Sequence, residues 1–200
     1  MIAIINYGVG NLQSVLNAFK ILTEDVIITS DKKIIENADR IVLPGVGAFG
    51  KGMNNLKKGD FIPLIYNQIE KGKPFLGICL GMQLCLSESE EMGHFKGLDL
   101  IKGNVVRFKE GGNKIPQIGW NNVYFNKDTL FKGVPENSMF YFVHSYYVQP
   151  SPNAIAGTTF YNGINYCSAI EYNNIFATQF HPEKSGPVGL KVLENFINVK

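Results

Sequence analysis

The chain has 200 residues, 45% of them hydrophobic and 18% charged, with a formal net charge of +2. That length suits one well-buried α/β domain spanning 1–200 and is short for two. The near-neutral charge excludes the electrostatic footprint of a nucleic-acid or anionic-membrane binder. Three cysteines, an odd number with no CxxC pair, indicate neither a disulfide framework nor a zinc site. Met1 leads into a strand-like run without a basic segment before it, and no stretch approaches about 18 apolar residues. The expectation is a cytoplasmic protein.

Residues 2–5 read as a central strand. The loop Asn6-Tyr7-Gly8-Val9-Gly10-Asn11 then leads into a helix with apolar positions at Leu12, Val15, Leu16, Phe19 and Leu22. Strand, Gly-x-Gly and helix resemble part of a dinucleotide fingerprint, but Gln13 stands where the third glycine belongs. Asn6 and Asn11 are better read as turn formers. Residues 26–29 and 40–43 are two further strands. The segment Pro44-Gly45-Val46-Gly47-Ala48-Phe49-Gly50 is expected to be a glycine-rich loop at a strand's carboxyl end, able to turn its N–H groups outward. Alone it is a tight turn; beside a nucleophile it can form one wall of an oxyanion hole. Helices are expected over 52–58 and 61–71.

The stretch Lys73-Pro74-Phe75-Leu76-Gly77-Ile78-Cys79-Leu80-Gly81-Met82-Gln83 follows. An apolar strand meets a cysteine with glycine two places before and two places after, and a helical pattern continues beyond it. This is the layout of a nucleophile elbow with sulfur in place of a serine oxygen. Larger side chains at Gly77 and Gly81 would crowd the turn, and a helix N-terminus aimed at sulfur favours thiolate. The other reading is a small buried apolar cysteine. Alternation of strands and helices to this point argues for a parallel sheet wound on both faces, with ligands beyond the strands' carboxyl ends. The Pro44 segment and Cys79 can therefore share a site.

The run Ser87-Glu88-Ser89-Glu90-Glu91 reads as a solvated helix end. Short strands at 105–108, 122–125, 139–148, 155–160, 166–170 and 175–180 look like antiparallel hairpins added to the sheet, and 189–199 should be a closing helix. The fold class is α/β: a flavodoxin-like, mostly parallel sheet with helices on both faces and hairpins in the C-terminal half. The last strand runs into His181-Pro182-Glu183. Residues two apart in an extended segment share a side, so Glu183 can orient the His181 imidazole as a general base. His94 and His144 compete for that role, but neither has a carboxylate two residues away.

Together Pro44-Gly45-Val46-Gly47, Gly77-Ile78-Cys79-Leu80-Gly81-Met82-Gln83 and His181-Pro182-Glu183 resemble the class I, triad-type glutamine amidotransferases. The stretches 6–11, Gly97-Leu98, Gly103-Asn104-Val105, Gly119-Trp120-Asn121, Tyr141-Phe142-Val143-His144-Ser145-Tyr146 and His181-Pro182-Glu183-Lys184-Ser185 are similar to the glutaminase subunits of imidazole glycerol phosphate synthases, over nearly the whole chain. The resemblance implies hydrolysis of glutamine without cofactor or metal. Its ammonia would go to a (βα)8-barrel cyclase partner making imidazole glycerol phosphate and AICAR in histidine biosynthesis. It implies Cys79, His181 and Glu183 as the catalytic triad and Leu80 with Val46 or Gly47 as oxyanion donors. Gly47, Gln83, Ser145 and Tyr146 would hold glutamine, and Asn11, Trp120 and Lys184 would lie at the interface or ammonia passage. Two alternatives stay open: a paralogous glutaminase feeding cell-surface sugar amidation, and a stand-alone cysteine hydrolase.

Overall fold

The computed structural model describes residues 1–199. The first half alternates as expected: β1 (Ile2–Ile5), α1 (Leu12–Lys20), β2 (Val26–Thr29), α2 (Lys32–Asn37), β3 (Arg40–Gly45), α3 (Phe49–Lys58), α4 (Ile62–Glu70), β4 (Phe75–Cys79) and α5 (Leu80–Leu84). The second half is β5 (Glu88–Ser89), β6 (Phe95–Lys96), β7 (Gly103–Arg107), β8 (Gln117–Asn122), β9 (Tyr124–Phe125), β10 (Met139–His144), β11 (Tyr146–Pro150), β12 (Ile155–Tyr161), β13 (Ile164–Tyr172), β14 (Ile175–Thr178) and α6 (Gly186–Ile197). A twelve-stranded sheet runs in the order β2-β1-β3-β4-β14-β13-β11-β7-β5-β6, with β12 on β13 and β9 on β12. The block from β2 to β14 is parallel throughout; β13, β11 and β7 extend it antiparallel, and the short β5 lies parallel to β7. No helix among the described residues is long and apolar enough to cross a membrane.

Strand alternation divides the core in two. Ala3, Ile5, Ile41, Leu43 and Phe75 face a cluster completed by Ile35 of α2, Leu56 of α3, and Leu64 and Ile65 of α4. Ile2, Ile4, Val42, Leu76 and Ile78 face the other, completed by Val15 and Phe19 of α1 and by Val192, Leu193 and Phe196 of α6. Strands buried on both faces must be apolar at every position, which is why these read as continuous apolar runs.

Four local expectations change. The segment Pro44-Gly45 is not loop but the end of β3, with Pro44 opposite Ile78 and Gly45 opposite Cys79. Proline is tolerated there because β1 pairs with β3 only as far as Val42, so the missing N–H faces no second neighbour. The acidic run is not a helix end: Glu88 and Ser89 pair with Asn104 and Val105 on one side and with Lys96 and Phe95 on the other. The stretch 139–148 is not one strand. It breaks at Ser145, leaving β10 in a separate two-stranded sheet with β8 while β11 joins the main sheet. The helix after Cys79 is a single turn ending at Leu84.

Candidate active site

β4 delivers Cys79 to the turn into α5 with φ 54° and ψ −107°. A left-handed conformation at a residue with a side chain costs about 1–3 kcal/mol and persists only where the surroundings enforce it. Two close approaches do so. A Cβ on Gly77 would lie 2.8 Å from the Gly81 carbonyl carbon, and one on Gly81 would lie 1.8 Å from the Leu43 carbonyl oxygen. α5 therefore sits tightly on β3 and β4, and the sulfur is thrust forward at the strand's carboxyl end. α5 is only one turn long, and the Cys79 side chain makes no cap hydrogen bond to it, so the helix-dipole help expected for the sulfur is small.

His181 is 2% exposed and follows β14, the neighbour of β4. Its backbone is pinned on both sides: its N–H donates to the Tyr141 carbonyl at 2.9 Å, and its carbonyl accepts from Ser185 Oγ at 2.7 Å. The His181 Nδ1 and Glu183 Oε1 atoms are 2.8 Å apart, as the residue spacing anticipated. The reason differs, since the chain turns through a 3-10 helix over Pro182–Lys184 rather than continuing extended. Nδ1 is thereby committed, and Nε2 is left buried without a hydrogen bond. Burial alone would depress the His181 pKa, but the sulfur of Cys79 and the carboxylate of Glu183 stabilise the imidazolium and push it up to about 10.

Cys79, Leu80, Gln83, Val46, Gly47, Ser145 and Tyr146 line one cleft of about 390 Å³, a size suited to a small ligand. β3, the elbow and the β10–β11 junction thus bring together the residues expected at the oxyanion and glutamine positions. Two carry contacts that the chain pattern did not disclose. Gln83 Nε2 donates to the Tyr146 carbonyl and to Gln179 Oε1, both at 3.1 Å, so its oxygen is what remains for a ligand. The Tyr146 carbonyl also faces His144 Nδ1 at 2.7 Å, so both of its lone pairs are used. Glu91 was missed. It lines the cleft, and its carboxylate accepts from Phe49 N–H at 2.6 Å, at the start of α3. Gln179 was missed too, although it stands two residues before the histidine.

His144 lines the cleft but is no competitor for the base. Its Nδ1 is taken by Tyr146, and its Nε2 lies 3.2 Å from the Tyr166 hydroxyl. Burial lowers its pKa from 6.5 to about 4, against the Tyr146 bond and with the help of charge on His181. The unfolded chain takes up this proton first, so stability is full above pH 6.5 and is lost as the pH falls toward 4. Replacing His144 by Gln removes that group. Urea unfolding between pH 7 and pH 4 should show wild type losing up to about 3 kcal/mol more than the variant. Parallel losses would show that His144 does not titrate this way. His94 lies elsewhere, exposed and paired with Glu88 at 2.9 Å.

Trp120 is 53% exposed on β8, not in the core. Its ring meets Tyr141 of β10 edge-on at 6.1 Å, and the Lys184 ammonium lies 5.7 Å from the same Tyr141 ring. Pairing of Ile118 with Val143, Trp120 with Tyr141 and Asn122 with Met139 puts Ile118, Trp120 and Met139 on one face of the small sheet, all exposed. Asn11 accepts from Ser14 N–H at 3.4 Å as the cap of α1, which packs on the turn holding Lys184.

Compared with known proteins, the chain matches the family described as glutamine amidotransferase class-I over residues 3–199. It is 53% identical over 198 residues to the imidazole glycerol phosphate synthase subunit HisH of Chlorobaculum tepidum, with 98% of each chain covered. It is 50% identical over 200 residues to the subunit of that name from Methanocaldococcus jannaschii, with all of both chains covered. Among solved structures, PurLQS from Thermotoga maritima is similar with a TM-score of 0.73 at 21% identity, covering 98% of this chain and 97% of that one. At that identity the likeness shows the fold alone.

Proposed function

The chain belongs to the class I glutamine amidotransferases, and from that premise we propose that it is the glutaminase subunit of an imidazole glycerol phosphate synthase. It hydrolyses glutamine and delivers ammonia to a (βα)8-barrel cyclase subunit in the cytoplasm. What carries the reading is likeness at half of all positions, end to end, to proteins bearing that subunit name. A sugar-amidation paralogue and a stand-alone hydrolase are not favoured by these relatives.

In the reaction we assign, the Cys79 thiol passes its proton to His181 Nε2 as the sulfur attacks the side-chain amide carbon of glutamine. His181 Nε2 gives its proton to the departing ammonia, then takes one from the water that opens the thioester to glutamate. Glu183 holds the ring in register through Nδ1. The oxyanion is received by Leu80 N–H and by an N–H of Val46 or Gly47, each donor being worth on the order of a hundredfold or more in rate. Gly47, Gln83, Ser145 and Tyr146 hold the rest of the substrate.

In this reading the ammonia passes to the partner subunit. The exposed Ile118, Trp120 and Met139 face, with Tyr141 and Lys184 beside it, offers an aromatic anchor for that partner. Replacing Trp120 by Ala should weaken the complex with the cyclase by about thirtyfold in Kd while leaving thermal stability unchanged. Calorimetric titration and glutamine turnover, each with and without the cyclase, read this directly. Turnover by the chain alone at the level of the complex would overturn the assignment.

A further inference from the structure

The nucleophile has a buried neighbour that the triad does not use. Gln179 is 0% exposed, and its Nε2 lies 3.7 Å from the Cys79 sulfur. Its other amide atom, Oε1, accepts from Gln83 Nε2 at 3.1 Å. Which way a carboxamide points is decided by its partners, and here the partners form a chain with a fixed end. The Tyr146 backbone carbonyl is an acceptor and nothing else, so the Gln83 atom facing it at 3.1 Å is the nitrogen. That nitrogen also faces Gln179, so the Gln179 atom there is the oxygen. The atom left facing the sulfur is then the N–H donor. Reversing Gln179 would set oxygen against sulfur and nitrogen against nitrogen, leaving fully buried polar groups unpaired.

We propose that Gln179 is a positioning residue for the Cys79 nucleophile, presenting an N–H to the sulfur in a direction dictated, through Gln83, by the Tyr146 carbonyl in the cleft wall. This rests on Cys79 being the nucleophile. A donor to sulfur at 3.7 Å is loose at rest and tightens as sulfur becomes negative, because bonds to ionised acceptors are shorter and stronger. The same chain is braced from behind. His144 Nδ1 holds the Tyr146 carbonyl at 2.7 Å, and the Tyr166 hydroxyl lies 3.2 Å from His144 Nε2. A ligand that displaced the Tyr146 carbonyl would therefore change the donor seen by the sulfur.

Alkylation of Cys79 by iodoacetamide, followed by peptide mass mapping in the full chain, tests this without needing glutamine. Cys85 and Cys167 serve as internal controls, burial having pushed both thiols up to about 12. Gln179→Glu keeps the acceptor for Gln83 but puts oxygen against the sulfur; Gln179→Met removes both bonds. In each, alkylation at pH 7 should fall about tenfold or more, with its rate profile displaced toward alkaline pH. Turnover of glutamine should fall likewise in kcat, and in Gln179→Glu, which keeps the acceptor for Gln83, KM should be little changed. Gln179→Asn, one methylene short of the sulfur, should behave the same and is the gentler change if Met disturbs folding. A profile matching wild type in variants that melt like wild type overturns the proposal. In the unmutated chain the Gln179 side-chain amide protons should shift on alkylation, and their failure to move is the second overturning result. Normal alkylation effects without glutamine turnover in any form would instead sink the glutaminase reading.

Discussion

Replacing Cys79 by Ala should reduce glutamine-dependent cyclisation at least about a thousandfold and leave cyclisation from added ammonium salts intact. In the proposed mechanism the size follows from losing covalent catalysis altogether: without sulfur, neither His181 nor the proposed oxyanion donors would have a nucleophile to assist. The selectivity follows from where the residue sits. Cys79 lies in the cleft at the elbow, and Trp120, the anchor we assign to the partner, is not among the residues that line it. Alanine keeps the Cβ, so the elbow's φ of 54° is no more strained than before and the fold should melt as wild type does. Steady-state rates with glutamine and with ammonia, measured on one preparation of the complex, are the check. Equal loss of both would mean that the substitution damages the assembly and that Cys79 is not a dedicated glutaminase residue.

Replacing Gly81 by Ala should be the most destabilising single-methyl change at the site, costing about 3 kcal/mol or more. The added Cβ would stand 1.8 Å from the Leu43 carbonyl oxygen and 2.9 Å from its carbon. Those are backbone atoms of β3, whose Leu43 lies opposite Gly77 in the ladder with β4, so they cannot withdraw without breaking that ladder. Relief has to come from lifting α5 off the sheet, which would carry Cys79 away from His181. For a chain this size the loss should lower the Tm by roughly 6–12 °C, and glutamine turnover should disappear with it. Scanning calorimetry and the glutamine assay, taken on the same variant, are both required. A variant that melts like wild type would show that the elbow has more room than the Gly77–Gly81 approach allows.

The elbow was legible because its requirements are local. Glycine at 77 and 81 reports close backbone approach, and the apolar run ahead of Cys79 reports a strand buried on both faces. The helix face of Leu12, Val15 and Phe19 and the parallel block of four strands before the elbow were legible for the same reason. The pairing of His181 with Glu183 was anticipated correctly from a geometry the chain does not adopt. Two extended residues and a 3-10 turn can bring the same groups together, and spacing alone does not separate them. Glu88 and Ser89 look like any acidic surface segment until β7 and β6 supply the backbone partners that make them a strand. Gln179 and Glu91 carried no signal, since a lone amide or carboxylate acquires meaning only from what faces it.

By itself, then, the order of residues determined the α/β alternation, the cysteine elbow and the company of a histidine with its acid, because period, glycine placement and short spacing are properties of neighbouring positions. Only the tertiary structure decided that Trp120 is exposed, that the stretch 139–148 divides between two sheets at Ser145, and that Gln83 and Gln179 link the sulfur to the Tyr146 carbonyl. Those outcomes depend on strand register and on partners up to a hundred residues apart, as between Cys79 and Gln179. A buried donor must find an acceptor somewhere, and which one it finds is settled when the sheet closes.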